Sequence, residues 1–180
     1  LLALQGSGAT LDLDAMLQTL LALALEKGVI VDAVVASNEA QAKRLWGLRG
    51  GMVEAQRFEG GSIKHDISVK VSLVPEFIQR AVSAVKNRLP DIRPCPFGHV
   101  GDGNIHFNLS QPIEMDTQEY LSLQGEVNQI VLDIVADLGG SFSAEHGVGM
   151  LKLEEMQRYK DPVSVELMRS IKKTIDPNRL

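Results

Sequence analysis

The sequence predicts an α+β domain in which a largely antiparallel sheet is covered on one side by helices. Two observations carry this prediction. An Asp102-Gly103 dipeptide joins two β-like runs, which is a strong hairpin signal because glycine accepts the positive φ of a tight turn. Amphipathic segments with helical spacing separate the strand-like runs from one another. Hairpin-paired strands alternating with such helices are typical of the α+β class.

The individual elements follow from periodicity and from their start and stop signals. The second helix is capped by Ser37 or Asn38, Pro75 opens the third, and Gly28 ends the first. Predicted helices cover residues 11–27, 38–58, 75–89, 117–138, 150–157 and 163–174. Strands are predicted at 29–36, at 62–70, around Cys95 and His99, and at 105–110. Residues 29–36 form a β-branched run that predicts a buried strand.

Composition narrows the functional classes. The 180 residues are 44% hydrophobic with a net charge of -5, and the mean hydropathy is +0.02 with a pI near 5.4. This balance suits a globular chain and argues against nucleic-acid binding. Charged residues bracket the most apolar run too closely for a transmembrane segment. The single Cys95 excludes an internal disulfide and fits a reducing compartment, so we expect bacterial cytoplasm or the mitochondrial matrix. The chain begins at Leu1, and we interpret it as a piece of a longer protein.

Two histidines flank the predicted turn. With Asp102 and Gly103 as the two turn residues, His99 would pair directly with His106, and Asn108 would join them on the same face. Two imidazoles and a carboxamide projecting together are the beginning of a metal site. A histidine pair across a hairpin is also common as ordinary surface or core polarity, so this alternative stays open at this point.

A candidate third ligand lies in the segment from Ser143 to Gly149. Small residues and two glycines surround Glu145 and His146, which predicts a loop whose backbone approaches another group closely. Two histidines and one glutamate with an open position form a ligand set of catalytic zinc, and the same set suits iron or manganese.

Two basic residues, Arg49 and Lys64, are candidate contacts for an anionic group. Arg49 falls within the apolar stripe of the second helix, where it is either a structurally paired arginine or a bidentate clamp for a carboxylate. Lys64 shares a polar strand face with Asp66, which is either a solvated face or the wall of an anion pocket. His65 lies on the opposite, apolar face, and we expect a core histidine there.

Four segments together resemble the C-terminal region of the FAD-linked oxidases of the vanillyl-alcohol-oxidase type, in the D-lactate, D-2-hydroxyglutarate and glycolate dehydrogenase branch. The resemblance covers nearly the whole chain, residues 1–180, and implies the ferredoxin-like repeats of that family's C-terminal domain. The matching segments are 45–49, 61–69, 97–108 and 139–149.

The resemblance implies a role for each matching residue. His99, His106 and Glu145 match the divalent-metal ligands, and His146 matches the proposed base. Substrate contacts are implied for Arg49, Lys64 and Asn108. Where hydroxyglutarate-specific members carry a threonine, this chain has Val53, which weakens the case for hydroxyglutarate in particular.

The resulting hypothesis is the substrate- and metal-binding C-terminal domain of an FAD-dependent D-2-hydroxyacid dehydrogenase. Zinc is the expected metal, with manganese or iron as alternatives, and FAD would be bound mainly by a domain outside these residues. A small 2-hydroxy acid is the expected substrate, homo-oligomers are allowed, and the electron acceptor is open. The chain has no group able to accept a hydride and no G-x-G-x-x-G motif after a strand, so we expect it to be inactive alone. Two rival hypotheses are a self-contained metal-dependent hydrolase and a structural metal-binding interaction domain.

Overall fold

A computed structural model describes residues 2–8 and 11–178, without the side chain of Val53. The chain divides into two compact units, Leu1–Ala55 and Gln56–Leu180. Each unit is described by itself below. Within the described ranges, none of the helices combines the length and the apolar character that crossing a membrane requires.

The first unit contains two helices, α1 (Leu13–Glu26) and α2 (Glu39–Ala55). A side-chain cap starts each of them. Asp12 accepts a hydrogen bond from the backbone N–H of Ala15 at 2.9 Å, and Asn38 accepts one from Gln41 at 2.9 Å. Both helices were predicted from the sequence, and the structure confirms them with ends a few residues shorter. In α2, Trp46 and Met52 are exposed apolar side chains. The apolar stripe predicted for this helix is therefore about half exposed within the first unit.

The predicted buried strand at residues 29–36 is wrong. The structure assigns no strand there, and Val31 is 99% exposed while Val34 is 78% exposed. A β-branched run becomes a strand only where a neighbouring strand accepts its hydrogen bonds and covers its side chains. No strand pairing of the described residues includes this segment.

The second unit holds a three-stranded antiparallel sheet, which confirms the predicted fold class. Its strands are β1 (Ser62–Ser68), β2 (Arg93–His99) and β3 (Asn104–Ser110), arranged in the order β1-β3-β2. The helices of this unit are α3 (Val74–Arg88), α4 (Thr117–Ser122), α5 (Gln124–Asp137), α6 (Leu153–Tyr159) and α7 (Pro162–Ile175). Among the described residues this is the one sheet, formed by a strand–helix–strand–strand–helix sequence.

The helix predicted at 117–138 is divided into α4 and α5 at Leu123. The Leu123 N–H bonds to the carbonyl of Tyr120, three residues back, instead of the residue four back. Tyr120 is fully buried, and its hydroxyl donates to the Leu109 carbonyl of β3 at 2.7 Å. The division therefore lies where α4 is anchored to the sheet.

One face of the sheet, which we call the covered face, forms the hydrophobic core. Phe107 and Leu109 of β3 are fully buried, and the ring of Phe77 from α3 lies 5.4 Å from that of Phe107. Burying each such side chain contributes roughly 1.5–3 kcal/mol. His65 belongs to this face, with Nδ1 at 2.9 Å from the Phe107 carbonyl oxygen, which confirms the predicted core histidine. Burial lowers the pKa of His65.

The opposite face, which we call the open face, carries polar side chains on all three strands. Its members are Ser62, Lys64, Asp66 and Ser68 of β1, Asn104, His106, Asn108 and Ser110 of β3, and Arg93, Cys95, Phe97 and His99 of β2. The segment after α5 extends β1 at its free edge. Ser68 and Ser141 exchange two backbone hydrogen bonds of 3.0 and 2.8 Å, and Ala144 N–H donates to the Asp66 carbonyl at 3.2 Å. This pairing places the loop from Ser143 to Gly149 beside the open face.

Candidate metal centre

The hairpin between β2 and β3 differs from the two-residue turn predicted from the sequence. Four residues, 100–103, connect the strands, so His99 pairs with Asn104 and Phe97 pairs with His106. Two contacts stabilise the longer turn. The Asp102 carboxylate accepts the N–H of Asn104 at 3.0 Å, and the Gly103 carbonyl accepts the N–H of Val69 at 3.1 Å. The direct His99–His106 pairing is therefore wrong.

The two histidines nevertheless share the open face. The observed register moves His99 by two positions relative to His106, and an even shift keeps side chains on the same side of a sheet. The imidazoles are diagonal neighbours instead of direct partners. The prediction of a shared face holds, although the register on which it was based does not.

The loop that carries Glu145 and His146 is fixed by contacts on both sides. Gly140 packs against β1 so closely that a Cβ atom there would lie 2.4 Å from the Ser68 carbonyl oxygen. The Lys152 ammonium donates to the Phe142 carbonyl at 3.3 Å and to Ser143 Oγ at 3.0 Å, and Ser143 Oγ donates to the Gly147 carbonyl at 2.7 Å. The loop is thus tied to β1 and to the start of α6.

The three predicted metal ligands converge at this loop. Glu145 Oε1 lies 3.7 Å from His99 Nδ1, and Glu145 Oε2 lies 3.8 Å from His106 Nε2. Two donors bonded to one zinc ion at about 2.0–2.1 Å are roughly 3–4 Å apart, so each separation alone has the length expected of two ligands. The two contacts use different Glu145 oxygens, however, and the group of described residues whose ligand atoms all lie within 4.8 Å of one another is Asp66, His106 and His146. The His106 side chain is 16% exposed, whereas those of His99 and Glu145 are about half exposed. The arrangement is therefore accessible from solvent on one side.

Asp66 lies at the centre of this group, although the sequence indicated it only as a neighbour of Lys64 on a polar strand face and not as part of the metal site. Its carboxylate is 4% exposed, and Oδ2 accepts the backbone N–H of Glu145 at 2.9 Å and that of His146 at 2.8 Å. Burial alone would raise the pKa of Asp66, but the hydrogen bonds from His146 and Glu145 outweigh it and hold that pKa below its ordinary value. Asp66 is therefore an ionised carboxylate beneath the loop. Strand alternation was the available signal, since it puts Asp66 on the face of His106.

His146, the predicted base, lies beside Asp66 at the surface. Its Nδ1 is 3.6 Å from Asp66 Oδ2, and its side chain is 65% exposed. The His146 ring stacks on that of His106 with centroids 5.7 Å apart and planes 27° apart. Candidate ligand atoms of Asp66, His106 and His146 all lie within 4.8 Å of one another. We call Asp66, His99, His106, Glu145 and His146 the histidine–acid cluster.

Two of the three residues predicted to contact the substrate lie on the open face, and the third belongs to the other unit. Lys64 and Asn108 are direct partners in neighbouring strands on the open face. Lys64 is exposed, whereas Asn108 is 5% exposed and donates to Gln56 Oε1 at 2.9 Å. Arg49 belongs to α2 in the other unit, so its role stays a prediction.

Asn104 is a second residue of the open face that sequence reasoning missed. It lies between Ser68 and His99 in the sheet, is 5% exposed, and neither amide atom of its side chain has a hydrogen-bond partner. Buried polar atoms without partners are uncommon, and a bound ion or ligand is one way to supply the missing partner.

A sheet face and an adjoining loop that together bring three imidazoles and two carboxylates close to one another define a candidate divalent-metal centre. The whole chain, residues 1–180, matches the family model described as FAD linked oxidases, C-terminal domain. The chain belongs to this family.

Characterised relatives carry a narrower description. The chain is 38% identical over 154 residues to a D-2-hydroxyglutarate dehydrogenase of Stutzerimonas stutzeri, an alignment covering 86% of the chain and 33% of the relative. It is 38% identical over 173 residues to the mitochondrial D-2-hydroxyglutarate dehydrogenase of Arabidopsis thaliana, covering 96% and 29%. The mitochondrial enzyme of Rattus norvegicus is 32% identical over 172 residues, covering 95% and 31%. The chain thus spans about a third of the length of these relatives.

Proposed function

We propose that residues 1–180 are the substrate- and metal-binding domain of an FAD-dependent D-2-hydroxyacid dehydrogenase. The observation that carries this proposal is the position of Glu145, whose two carboxylate oxygens face His99 and His106 at 3.7 and 3.8 Å. Membership of the FAD-linked oxidase family and similarity to D-2-hydroxyglutarate dehydrogenases support it.

The donor chemistry of the cluster suits a divalent ion. Two imidazole nitrogens and a carboxylate are ligands that zinc prefers when it keeps an open position, and manganese or iron accept the same set. Asp66 Oδ1 and both Asn104 amide atoms are buried beside these ligands without partners, as expected where a bound ion and substrate complete the polar contacts. When bound, the ion would act as a Lewis acid that lowers the pKa of the substrate hydroxyl.

Side chains of the open face, of the adjoining loop and of α2 are assigned the remaining roles. His146, exposed and backed by Asp66, takes the proton from the 2-hydroxyl group. Lys64 and Asn108 hold substrate carboxylate oxygens beside the cluster, and the family resemblance assigns a carboxylate contact to Arg49 as well. When bound, FAD would supply the acceptor for the hydride of C2. No residue of this chain is assigned to FAD.

The substrate class is a small 2-hydroxy acid: D-2-hydroxyglutarate, D-lactate or glycolate. The names of the relatives favour D-2-hydroxyglutarate, whereas Val53 occupies the position of the threonine of hydroxyglutarate-specific members. The relatives are bacterial and mitochondrial, so we propose a bacterial cytoplasm or the mitochondrial matrix as the location. The proposal allows homo-oligomers and names no electron acceptor.

The test uses the intact protein that contains this chain, with FAD and a dye as electron acceptor. Each of the three acids is supplied before and after metal removal by a chelator, and zinc, manganese or iron(II) is then added back. We expect turnover to be lost with the metal and restored by one of the ions. Replacing His99 and His106 together with alanine should abolish high-affinity metal binding, and His146→Gln should lower kcat roughly a hundredfold or more.

Cys95→Ser is the matched control, because Cys95 is an exposed residue of the open face that has no part in the proposed chemistry. It should leave turnover and metal affinity unchanged. Full activity after complete metal removal would contradict metal assistance. Wild-type kcat in His146→Gln would exclude that residue as the base.

A further inference from the structure

Asp66 presents its two carboxylate oxygens to different partners. Oδ2 accepts the backbone N–H groups of Glu145 and His146 at 2.9 and 2.8 Å. Oδ1 is buried without a hydrogen-bond partner and lies 3.9 Å from His106 Nδ1. One oxygen therefore holds the loop backbone, and the other faces the ring of the most buried histidine of the cluster.

The His106 ring is oriented between two acids. Its Nδ1 faces Asp66 at 3.9 Å, and its Nε2 faces Glu145 at 3.8 Å. A neutral imidazole carries a proton on one nitrogen and a lone pair on the other, and only the nitrogen with the lone pair can bind a metal ion. The Phe97 ring, 5.1 Å from that of His106, limits how far the imidazole can turn. The identity of the protonated nitrogen thus decides whether His106 can serve as a ligand together with Glu145.

We propose that Asp66 is the positioning residue of this site: it keeps the His106 proton on Nδ1, so that the Nε2 lone pair faces Glu145, and it anchors the backbone of Glu145 and His146. The inference rests on the proposed function, because it assumes a metal ion shared by His99, His106 and Glu145. Carboxylates that hydrogen-bond the distal nitrogen of a ligating histidine are a recurrent way to fix the histidine tautomer. At 3.9 Å the pair is longer than a hydrogen bond, and a ring shift of about 1 Å closes it.

A competing role for Asp66 is direct coordination, since its ligand atoms lie within 4.8 Å of those of His106 and His146. That arrangement needs the Nδ1 lone pair of His106 instead of Nε2. It also leaves Glu145 outside the coordination sphere, although Glu145 already faces both His99 and His106. The position of Glu145 supports the positioning role, the spacing of Asp66, His106 and His146 supports coordination, and the two roles predict opposite His106 tautomers.

The variant that isolates the role is Asp66→Asn in the intact protein. The single amide oxygen can still accept the two backbone N–H groups, while the NH2 group then faces His106 Nδ1 and requires a lone pair there. The proton moves to Nε2, which can no longer bind the metal. We expect zinc affinity, measured by competition with a chromogenic chelator, to fall about 10–100-fold.

Asp116→Asn is the matched control. Asp116 Oδ1 also accepts two consecutive backbone N–H groups, those of Gln118 and Glu119, at 2.8 and 3.1 Å, but it caps α4 and is not a member of the histidine–acid cluster. The two variants should lose a similar amount of thermal stability, and only Asp66→Asn should lose zinc affinity. Equal zinc affinity in wild type and a folded Asp66→Asn variant would overturn the inference while leaving the proposed function intact.

A measurement on the wild-type protein keeps the inference testable if Asp66→Asn does not fold. Selective 15N labelling of histidine, with the His106 signals assigned by their loss in His106→Gln, reports which ring nitrogen is protonated in the zinc-bound protein. We expect a protonated Nδ1 and a zinc-bound Nε2. A zinc-bound Nδ1 would overturn the positioning role in favour of direct coordination. No zinc binding at all by wild type would instead refute the metal site of the proposed function, and the inference with it.

Discussion

The two faces of the three-stranded sheet are built from alternating residues of the same strands, yet they differ in the surroundings and hydrogen-bond partners of their buried polar atoms. On the covered face, Leu109 and Phe107 are fully buried among apolar side chains, and the Tyr120 hydroxyl donates to a backbone carbonyl. On the open face, Asp66 Oδ1 and both amide atoms of Asn104 are buried without a partner. An unpaired buried polar atom costs about 1–3 kcal/mol. The covered face also has one such atom, His65 Nε2, but it belongs to the hydrophobic core, whereas the unpaired Asp66 and Asn104 atoms of the open face belong to or adjoin the histidine–acid cluster and are available for a ligand.

The largest expected effect comes from placing an open-face residue on the covered face. Leu109→Asn removes a fully buried leucine and puts an amide without partners into the core. We expect the free energy of unfolding to fall by about 3–5 kcal/mol, from lost apolar burial and from the unpaired amide together. Chemical denaturation followed by circular dichroism measures the change.

The reciprocal change, Asn104→Leu, is the control for this comparison. It removes two unpaired amide atoms from the opposite face of the same strand, and the backbone contact to Asp102 remains. We expect unchanged stability or a gain of about 1 kcal/mol. If Asn104→Leu destabilises the protein as much as Leu109→Asn does, the Asn104 amide contributes to stability and the proposed difference between the two faces is refuted.

An intermediate effect is expected at the turn that joins the site to the end of β1. Gly103 has a φ of 77°, and a Cβ atom there would lie 1.9 Å from the Val69 carbonyl oxygen. Gly103→Ala should therefore cost roughly 2 kcal/mol or more, from left-handed backbone strain and from displacement of the hairpin. Gly139→Ala separates the two contributions, because Gly139 has a similar φ of 66° and open space around it. It should cost about 1 kcal/mol. Equal losses in thermal denaturation would show that the Val69 contact is unimportant.

The smallest effect at neutral pH concerns the two tyrosines. Their burial changes the pH dependence of stability only at alkaline pH, where the hydroxyl groups ionise. Burial raises the pKa of Tyr120 to about 12, and burial together with a hydrogen bond to Asp133 raises the pKa of Tyr159 to about 12. The folded state keeps both protons while the unfolded state loses them near pH 10, so stability falls as the pH rises from 10 towards 12. Tyrosinate absorbance should stay low at pH 10.5 in the folded protein and rise on unfolding in guanidinium.

Full ionisation of either tyrosine near pH 10 in the folded chain would contradict its burial. Tyr120→Phe and Tyr159→Phe assign the two transitions, because the chain contains only these two tyrosines.

Much of the fold could be predicted because local signals and tertiary contacts agree in the second unit. Pro75 at the start of α3 and the alternation of β1 both correspond to observed elements. The prediction was wrong at residues 29–36, where β-branched composition indicates a strand but no partner strand pairs with it among the described residues. The turn length was also misjudged, since the contact of Gly103 with Val69 joins residues distant in sequence.

The candidate site was predictable to a similar degree. His99, His106 and Glu145 were nominated from residue type and from a family resemblance, and the structure brings their side chains together. Asp66 was not nominated, because in the sequence it is one acid on a strand with an alternating pattern. Its importance depends on the loop that carries Glu145 and His146, which is about 80 residues away along the chain.

The sequence by itself determined which residues alternate between the two faces of each strand and which side chains can bind a metal ion. Side-chain alternation is a property of the extended backbone, and ligand chemistry is a property of the residue type, so neither needs a neighbour. Only the tertiary structure decided the hairpin register, the division between α4 and α5, and the burial of Asp66 beneath the loop. Each of these depends on hydrogen bonds between segments far apart in the chain, and local residue patterns carry no information about which distant backbone group will be the partner.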